Sequence, residues 1–262
     1  MPHPPNARSP VPPVSSPDTL LAFDTSTERL AVAVQTSAGR WVDDAPGGAA
    51  ASAALLPAIR AQLQRADRRM AEVAAIAFGR GPGAFTGLRT SCAVAQGLAF
   101  GLGRPVLPID SLLIVAEQAR QRRGGQIDLE IGVAMDARMG EVYAGRYRWQ
   151  SESGRWQVLQ PPGLWAPAAL AQAWSVSPPE AATGSALALF GAELLAACPP
   201  ARHIDAGDAR AAALIALAAQ AWDDGTGLDA AQALPLYLRD KVAQTTAERE
   251  ALRAAAAASV AS

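Results

Sequence analysis

Lysine is almost missing from this chain: of 23 basic residues only Lys241 is lysine, and the rest are arginine. A Walker A phosphate loop needs a lysine behind its glycines, and no glycine-rich stretch here supplies one. A lysine Schiff base would have to use Lys241. Histidine is equally scarce, with His3 in a proline-rich segment and His203 far downstream. A two-histidine zinc site or a Ser-His-Asp triad would therefore depend on His203 alone. The two cysteines, Cys92 and Cys198, lack metal-ligand spacing and read as small buried apolar residues of a reducing compartment. Aromatic side chains make up only 5%, so the core must be alanine-rich. The longest apolar run, Ala211 to Ala219, is far shorter than the about 20 residues of a membrane span. A formal net charge of −1 and a pI near 6.1 leave no global field towards nucleic acid or anionic lipid.

What is present is a 262-residue chain, half hydrophobic, long enough for one large or two modest domains. Residues 1–19 carry seven of its 20 prolines among Ser, Asn and Arg, a composition that predicts a disordered leader. The leader has no continuous apolar stretch of the signal-peptide kind, and the expectation is a soluble cytoplasmic protein without a membrane segment.

Order is expected from Leu20 to Asp24 onward. Leu30 to Val34 is apolar again, so the two runs read as a hairpin with a polar turn, and Arg40-Trp41-Val42 as a third strand. After Gly47-Gly48 comes a helical stripe of Leu55, Leu56, Ile59 and Leu63. Val73 to Phe78 fits a buried strand, with Thr86 as N-cap of a helix running to Leu102. Pro105 to Ile109 is a further strand, and Ser111 caps the next helix. A second series follows: strands at Ile131 to Met135, Glu141 to Trp149, Arg155 to Leu159 and Ala186 to Phe190, then an apolar helix from Asp208 to Trp222. In the strand from Glu141, period two puts Tyr143, Tyr147 and Trp149 opposite Arg146 and Arg148. A hairpin-led edge followed by β-α-β crossovers predicts mixed sheets with helices on their faces, in two lobes: 20–110 and 111–243, with an alanine-rich tail at 244–262.

Three stretches are candidates for chemistry. Gly79 to Arg89 places four glycines between a strand and a helix, where backbone amides and the helix dipole favour an anion. The spacing matches neither G-x-G-x-x-G nor a P-loop, so a sharp turn with close helix packing accounts for it at least as well. Asp24-Thr25-Ser26-Thr27, at the tip of the first hairpin, offers a carboxylate and hydroxyls for Mg²⁺ and phosphate, or ordinary turn hydrogen bonds. Asp136-Ala137-Arg138-Met139-Gly140-Glu141 sets two carboxylates around an arginine, either a catalytic pair or a neutralised hairpin turn. His203 reads as incidental, and Arg120-Gln121-Arg122-Arg123 as cations at a helix end. Apolar and small residues on the helices carrying Leu55 and Gly97 suit either a buried core or a half-buried partner face.

Four blocks, LLAFDTST (20–27), GRGPGAFTGLR (79–89), MDARMGEVY (135–143) and PLYLR (235–239), resemble in order and spacing the TsaB family, the YeaZ-type proteins of bacteria. The resemblance implies a two-lobed actin-like (ASKHA, ribonuclease-H-type) α/β fold with mixed sheets flanked by helices. It implies a subunit of the machinery that places a threonylcarbamoyl group on N6 of adenosine 37 in tRNAs reading ANN codons. In that family catalysis and metal belong to a related subunit, TsaD. TsaB-like proteins lack the metal ligands and pair their helices with those of TsaD, or with each other as homodimers, and an ATPase, TsaE, docks on the assembly. On this view the chain meets tRNA only through the complex and holds no cofactor of its own, ATP or ADP lying at most at the complex interface.

Carried onto this sequence, the paired helices fall on residues 52–65 and 86–102, with Leu55, Leu56, Ile59, Leu63, Arg89, Ala93, Gly97 and Phe100 as interface candidates. Asp24, Thr25, Gly81, Gly83, Thr86 and Gly87 would be a degenerate remnant of a phosphate site, with no catalytic or metal-binding residue. The family often has a His-Ser or His-Thr pair where this chain has Ala51 and Ser52, so any contact of that histidine is lost. Two rival readings are a small actin-fold ATPase or kinase acting alone through Asp24, Thr25 and the Gly79–Gly87 loop, and a peptidase, against which the missing zinc ligands speak.

Overall fold

Strand β1 (Leu20–Asp24) begins with four apolar residues in a row because packed helices cover both of its faces. In this computed structural model, which describes residues 19–124, 127–194 and 196–239, β1 sits at the centre of a five-stranded mixed sheet. It pairs antiparallel with β2 (Arg29–Thr36), and β2 with β3 (Gly39–Pro46). On its other side it runs parallel to β4 (Ala75–Gly81), which runs parallel to β5 (Val106–Asp110). The predicted leader up to residue 18 and the tail from 244 lie outside the described residues.

Alternation along the strands divides the core. Leu21, Phe23, Val32, Val34 and Phe78 face α1 (Ala51–Arg65) and α2 (Phe85–Leu102). The opposite face carries Ala22, Ala31, Ala33, Ala75 and Ala77, small residues that admit the equally alanine-rich helix over Ala211–Asp223 at close range. The expected alanine-rich core is thus a specific device: small faces on sheet and helix bring two backbones together.

The second sheet repeats the plan. Helix α3 (Ser111–Arg122) leads to β6 (Leu129–Asp136), which pairs antiparallel with β7 (Val142–Gln150), as β7 does with β8 (Arg155–Trp165); β9 (Ala181–Thr183) runs parallel to β6. Tyr147 and Trp149 point towards α3, while Val142 and Ala144 point towards α4 (Pro167–Val176), α5 (Ala186–Leu189) and α6 (Gly191–Leu194). Pro161 and Pro162 are tolerated because β8 is an edge strand. Helix α7 (Ala211–Asp223) then returns to pack on the first sheet. A boundary at residue 110 therefore divides the chain but not the packing, since the first lobe takes its last helix from the far end.

Four local expectations are corrected. Ala186 to Phe190 forms the helical turn α5 rather than a strand; a short apolar run does not distinguish the two. Thr86 lies inside α2, whose N-cap is Ala84. Ser111 is the first residue of α3, and its hydroxyl accepts the Gly81 amide instead of capping its own helix. Helix α7 starts at Ala211, not Asp208, and its cap comes from across the molecule. The Asp44 carboxylate on β3 accepts the Arg210 and Ala211 amides at 2.7 and 3.2 Å.

Candidate functional site

Strand β1 delivers Asp24 and Thr25 to the end of the first sheet, where the β4–α2 loop wraps them. Both are buried, and every group in them is occupied. Asp24 Oδ1 accepts the Ser26 amide at 2.8 Å, and Oδ2 accepts the Ser26 hydroxyl at 2.9 Å. Arg210, itself 4% exposed, donates to Oδ2 from Nη2 at 2.7 Å and from Nε at 3.1 Å. Thr25 donates its hydroxyl to the Gly87 carbonyl at 2.7 Å, and its amide donates to Ser91 Oγ at 3.0 Å. The carboxylate that a metal-phosphate site would need is held by a guanidinium inside the protein.

The glycines of the loop explain themselves in the same terms. A Cβ on Gly87 would stand 1.8 Å from the Thr25 carbonyl oxygen, and one on Gly79 would stand 2.4 Å from the Asp24 carboxyl. They are glycine because the hairpin tip occupies the space a side chain would need. The Gly81 and Ala84 amides are engaged by Ser111 Oγ and the Ser26 carbonyl, so they do not cradle an anion. Gly83 packs against Ser26, and Thr86 is exposed on the first turn of α2. Of the two readings of the Gly79–Gly87 stretch, the structure favours the sharp turn with close packing.

The block 235–239 closes over this loop. Its Leu236 amide donates to the Arg80 carbonyl at 2.7 Å. The Tyr237 ring lies 5.2 Å from Phe85, and its hydroxyl accepts Arg89 Nε at 3.1 Å while the Arg89 guanidinium stacks 3.8 Å over Phe85. Arg239 pairs with Glu141 and donates to the Arg138 carbonyl. Asp136 has a different partner, Arg138, at 3.3 Å. The two carboxylates of the 136–141 turn are thus neutralised separately and do not form a catalytic pair. Arg138, Met139 and Gly140 all have positive φ, which makes this stretch a tight hairpin corner. Between the lobes remains a hollow of about 630 Å³ lined by Pro82, Phe85, Met139, Tyr143, Arg210 and Arg239 among others. Burial raises the Tyr143 phenol above its ordinary value, so it stays protonated there.

The helices α1 and α2 divide the remaining candidates. Leu55, Ile59 and Leu63 are buried in the first-lobe core, so they cannot contact a partner and are corrected to core residues. The i, i+4, i+8 stripe is real, but it faces the chain's own sheet. Leu56, 43% exposed, sits one position round the helix. On α2, Arg89, Ala93, Gly97 and Phe100 are all exposed, with Phe100 at 84%. A Cβ on Gly97 or Gly101 would meet no heavy atom within 4 Å, so the ridge is flat and unobstructed. Exposed apolar side chains beside bare glycines make this the face best shaped for close helix packing.

The other singled-out residues are structural. His203 Nε2 lies 2.9 Å from the Cys198 carbonyl oxygen beside a short bridge to Ala182. Both cysteines are free and buried, and burial raises their thiol pKa values. Arg120 is paired with the buried Glu117 and stacked on Trp149, and Arg122 reaches Asp205. Among the described residues no cluster of three or more His, Cys, Asp or Glu could hold a metal ion, and no helix is long and apolar enough to cross a membrane.

Arg210 is the site residue that sequence reasoning missed. Its only local signal is a basic residue at the head of an apolar helix; its partner Asp24 stands 186 positions earlier.

Comparison with known proteins points one way. A family profile described as TsaD, tRNA N6-adenosine threonylcarbamoyltransferase, matches residues 47–171. The chain is 30% identical over 247 residues to the tRNA threonylcarbamoyladenosine biosynthesis protein TsaB of Escherichia coli, covering 86% of this chain and 96% of that one. The TsaB of Haemophilus influenzae is 40% identical over 125 residues, 48% of this chain and 52% of that one. Among solved structures, YeaZ from Pseudomonas aeruginosa superposes with a TM-score of 0.72 at 36% identity, covering 84% of this chain and all of that one. The two-lobed actin-like architecture is shared.

Proposed function

The chain belongs to the TsaB family of tRNA threonylcarbamoyladenosine biosynthesis proteins, and from that premise we propose that it is a non-catalytic subunit which pairs through α1 and α2 with a TsaD-like catalytic subunit. The observation that carries this reading is the closure of Arg210 on Asp24: the carboxylate at the end of β1 is buried, with both oxygens hydrogen-bonded inside the protein.

The exposed ridge of Ala93, Gly97 and Phe100, with Leu56 beside it, supports the choice of face. Bare glycines allow helix backbones to approach closely, and the apolar side chains supply the area such packing buries. When the partner is absent the same face suits a second copy of this chain. A TsaE-like ATPase joins the pair, any ATP or ADP lies at the complex interface, and the assembly works in the cytoplasm, where tRNA is modified.

The test is co-elution of this chain with a TsaD-like protein on size exclusion. Gly97→Arg and Leu56→Glu abolish it in folded protein; undiminished co-elution by both overturns the assigned face. Titration with ATP and Mg²⁺ probes the rival enzyme reading. Turnover by the chain alone that disappears in Asp24→Ala under conditions where the variant stays folded would establish an ATPase and refute the non-catalytic assignment.

A further inference from the structure

Charge is distributed unevenly along a chain whose formal net charge is −1. Residues 45–109, which contain α1, β4 and α2, hold seven arginines against two carboxylates, Asp67 and Glu72, a local excess of +5. Arg80 is paired with Asp110 and Arg89 is stacked on Phe85. The other five, Arg60, Arg65, Arg68, Arg69 and Arg104, gather at the C-terminal end of α1 and in the turns beyond the two helices.

Two adjoining hollows lie among them. The larger, about 850 Å³, joins Arg60, Arg68 and Arg69 to the apolar Leu56, Leu63 and Leu98. The smaller, about 380 Å³, shares Arg68 and Glu72 with it and adds Ser37 and Arg104. Glu72 is held by Arg69 at 3.1 Å. Among the described residues Arg60 and Arg104 make no ion pair, and Arg68 donates to the Asp67 carbonyl at 2.9 Å. A helix dipole accounts for Arg65 in the last turn of α1, but Arg68, Arg69 and Arg104 lie past the helix ends.

We propose that this basic end of the first lobe is a docking surface for the phosphate backbone of RNA, the tRNA substrate of the assembly. The inference rests on the reading of the chain as a tRNA-modification subunit. Guanidinium forks match phosphate oxygens in pairs, and arginines that outnumber the carboxylates around an open hollow are suited to that ligand. A protein partner is favoured less, because the core of a protein interface is depleted in charge and rich in apolar anchors. Leu56, Leu63 and Leu98 line only the larger hollow, on the side towards the partner face, whereas Ser37, Arg68, Glu72 and Arg104 around the smaller one offer no apolar anchor. Such contacts position the RNA without reading its bases.

The probe is an unmodified transcript of a tRNA reading an ANN codon, bound to the full chain alone at low salt and to the chain assembled with its TsaD-like partner across a salt series. Arg68→Glu/Arg104→Glu is expected to weaken both by about tenfold, and to lower the slope of log K against log salt by between one and two. Co-elution with the partner persists. The control pair Arg122→Glu/Arg123→Glu, with the same charge change elsewhere, stays within twofold. Should the first pair melt, Arg104→Glu alone, past the end of α2, gives the same direction of change. Unchanged binding and slope overturn the proposal, as does an equal loss in the control pair, which would make the effect one of net charge. Lost co-elution with RNA binding intact would instead mark a protein interface. If even the unaltered chain fails to co-elute, the subunit reading falls, while binding to the chain alone still decides this one.

Discussion

Arg210 and Asp24, 186 positions apart, close on each other inside the first lobe, with Nη2 2.7 Å from Oδ2 and both side chains at least 95% buried. The pair ties α7, the last helix, to β1, the first strand. It also holds the Asp24 carboxylate inside the protein.

Breaking that pair from one side leaves an uncompensated buried charge. Asp24→Ala is expected to destabilise the fold by about 3–5 kcal/mol in urea unfolding. Replacing both partners with apolar residues, Asp24→Leu/Arg210→Met, should recover most of the loss. A single variant as stable as the parent would show that the buried charges are not coupled.

The two faces of α1 should respond oppositely to substitution. Leu55→Ala, in the core, is expected to cost about 2–5 kcal/mol of stability by cavity formation. Leu56→Glu, on the outer face, leaves the melting temperature nearly unchanged and abolishes partner co-elution. Equal effects on melting would refute the inward and outward assignment.

Gly87→Ala forces a methyl group to within 1.8 Å of the Thr25 carbonyl oxygen unless the backbone shifts. Overpacking of this kind costs about 1–3 kcal/mol. Thermal unfolding checks it, and Gly97→Ala, into open space on the same helix, is the matched control that should gain up to about 1 kcal/mol. A stable Gly87→Ala would mean that the hairpin tip and α2 are not in contact.

Acid should loosen the second sheet through Glu130. Burial alone would raise its pKa, but hydrogen bonds from Arg148 and Arg146 outweigh burial and hold it below its ordinary 4.5. Because the folded value is the lower one, the unfolded chain binds the proton more readily. The stabilisation is complete above about pH 4.5 and is lost as pH falls through the folded value. Glu130→Gln therefore weakens the fold at neutral pH and flattens the acid limb of its stability curve; an acid limb identical to the parent's would exclude Glu130 as its source.

Much of the framework was legible because it follows from periodicity. The hairpin of β1 and β2, the β4 strand before its glycines and the period-two face of Tyr147 and Trp149 all announce themselves locally. Ala186 to Phe190 did not, since four or five apolar residues carry no period, and only the neighbouring elements decide how they fold. The helical stripe on α1 was found, but its direction was not: a pattern says that one side is apolar without saying whose core it enters.

The candidate site divides in the same way. Asp24, Thr25 and the glycine loop are close enough in type and order to mark the place, and their residues meet as that order suggests. Their meaning changed once Arg210 and the 235–239 segment arrived from the far end of the chain. Thus the linear chain alone set the order of strands and helices and the scarcity of histidine and lysine, which depend on local period and residue count, and its four blocks carried the resemblance to the family. Tertiary structure alone decided which face of α1 is free and which oxygens of Asp24 are occupied. Both are set by what packs or pairs across long loops, and long-range contact leaves no regular trace in a linear chain.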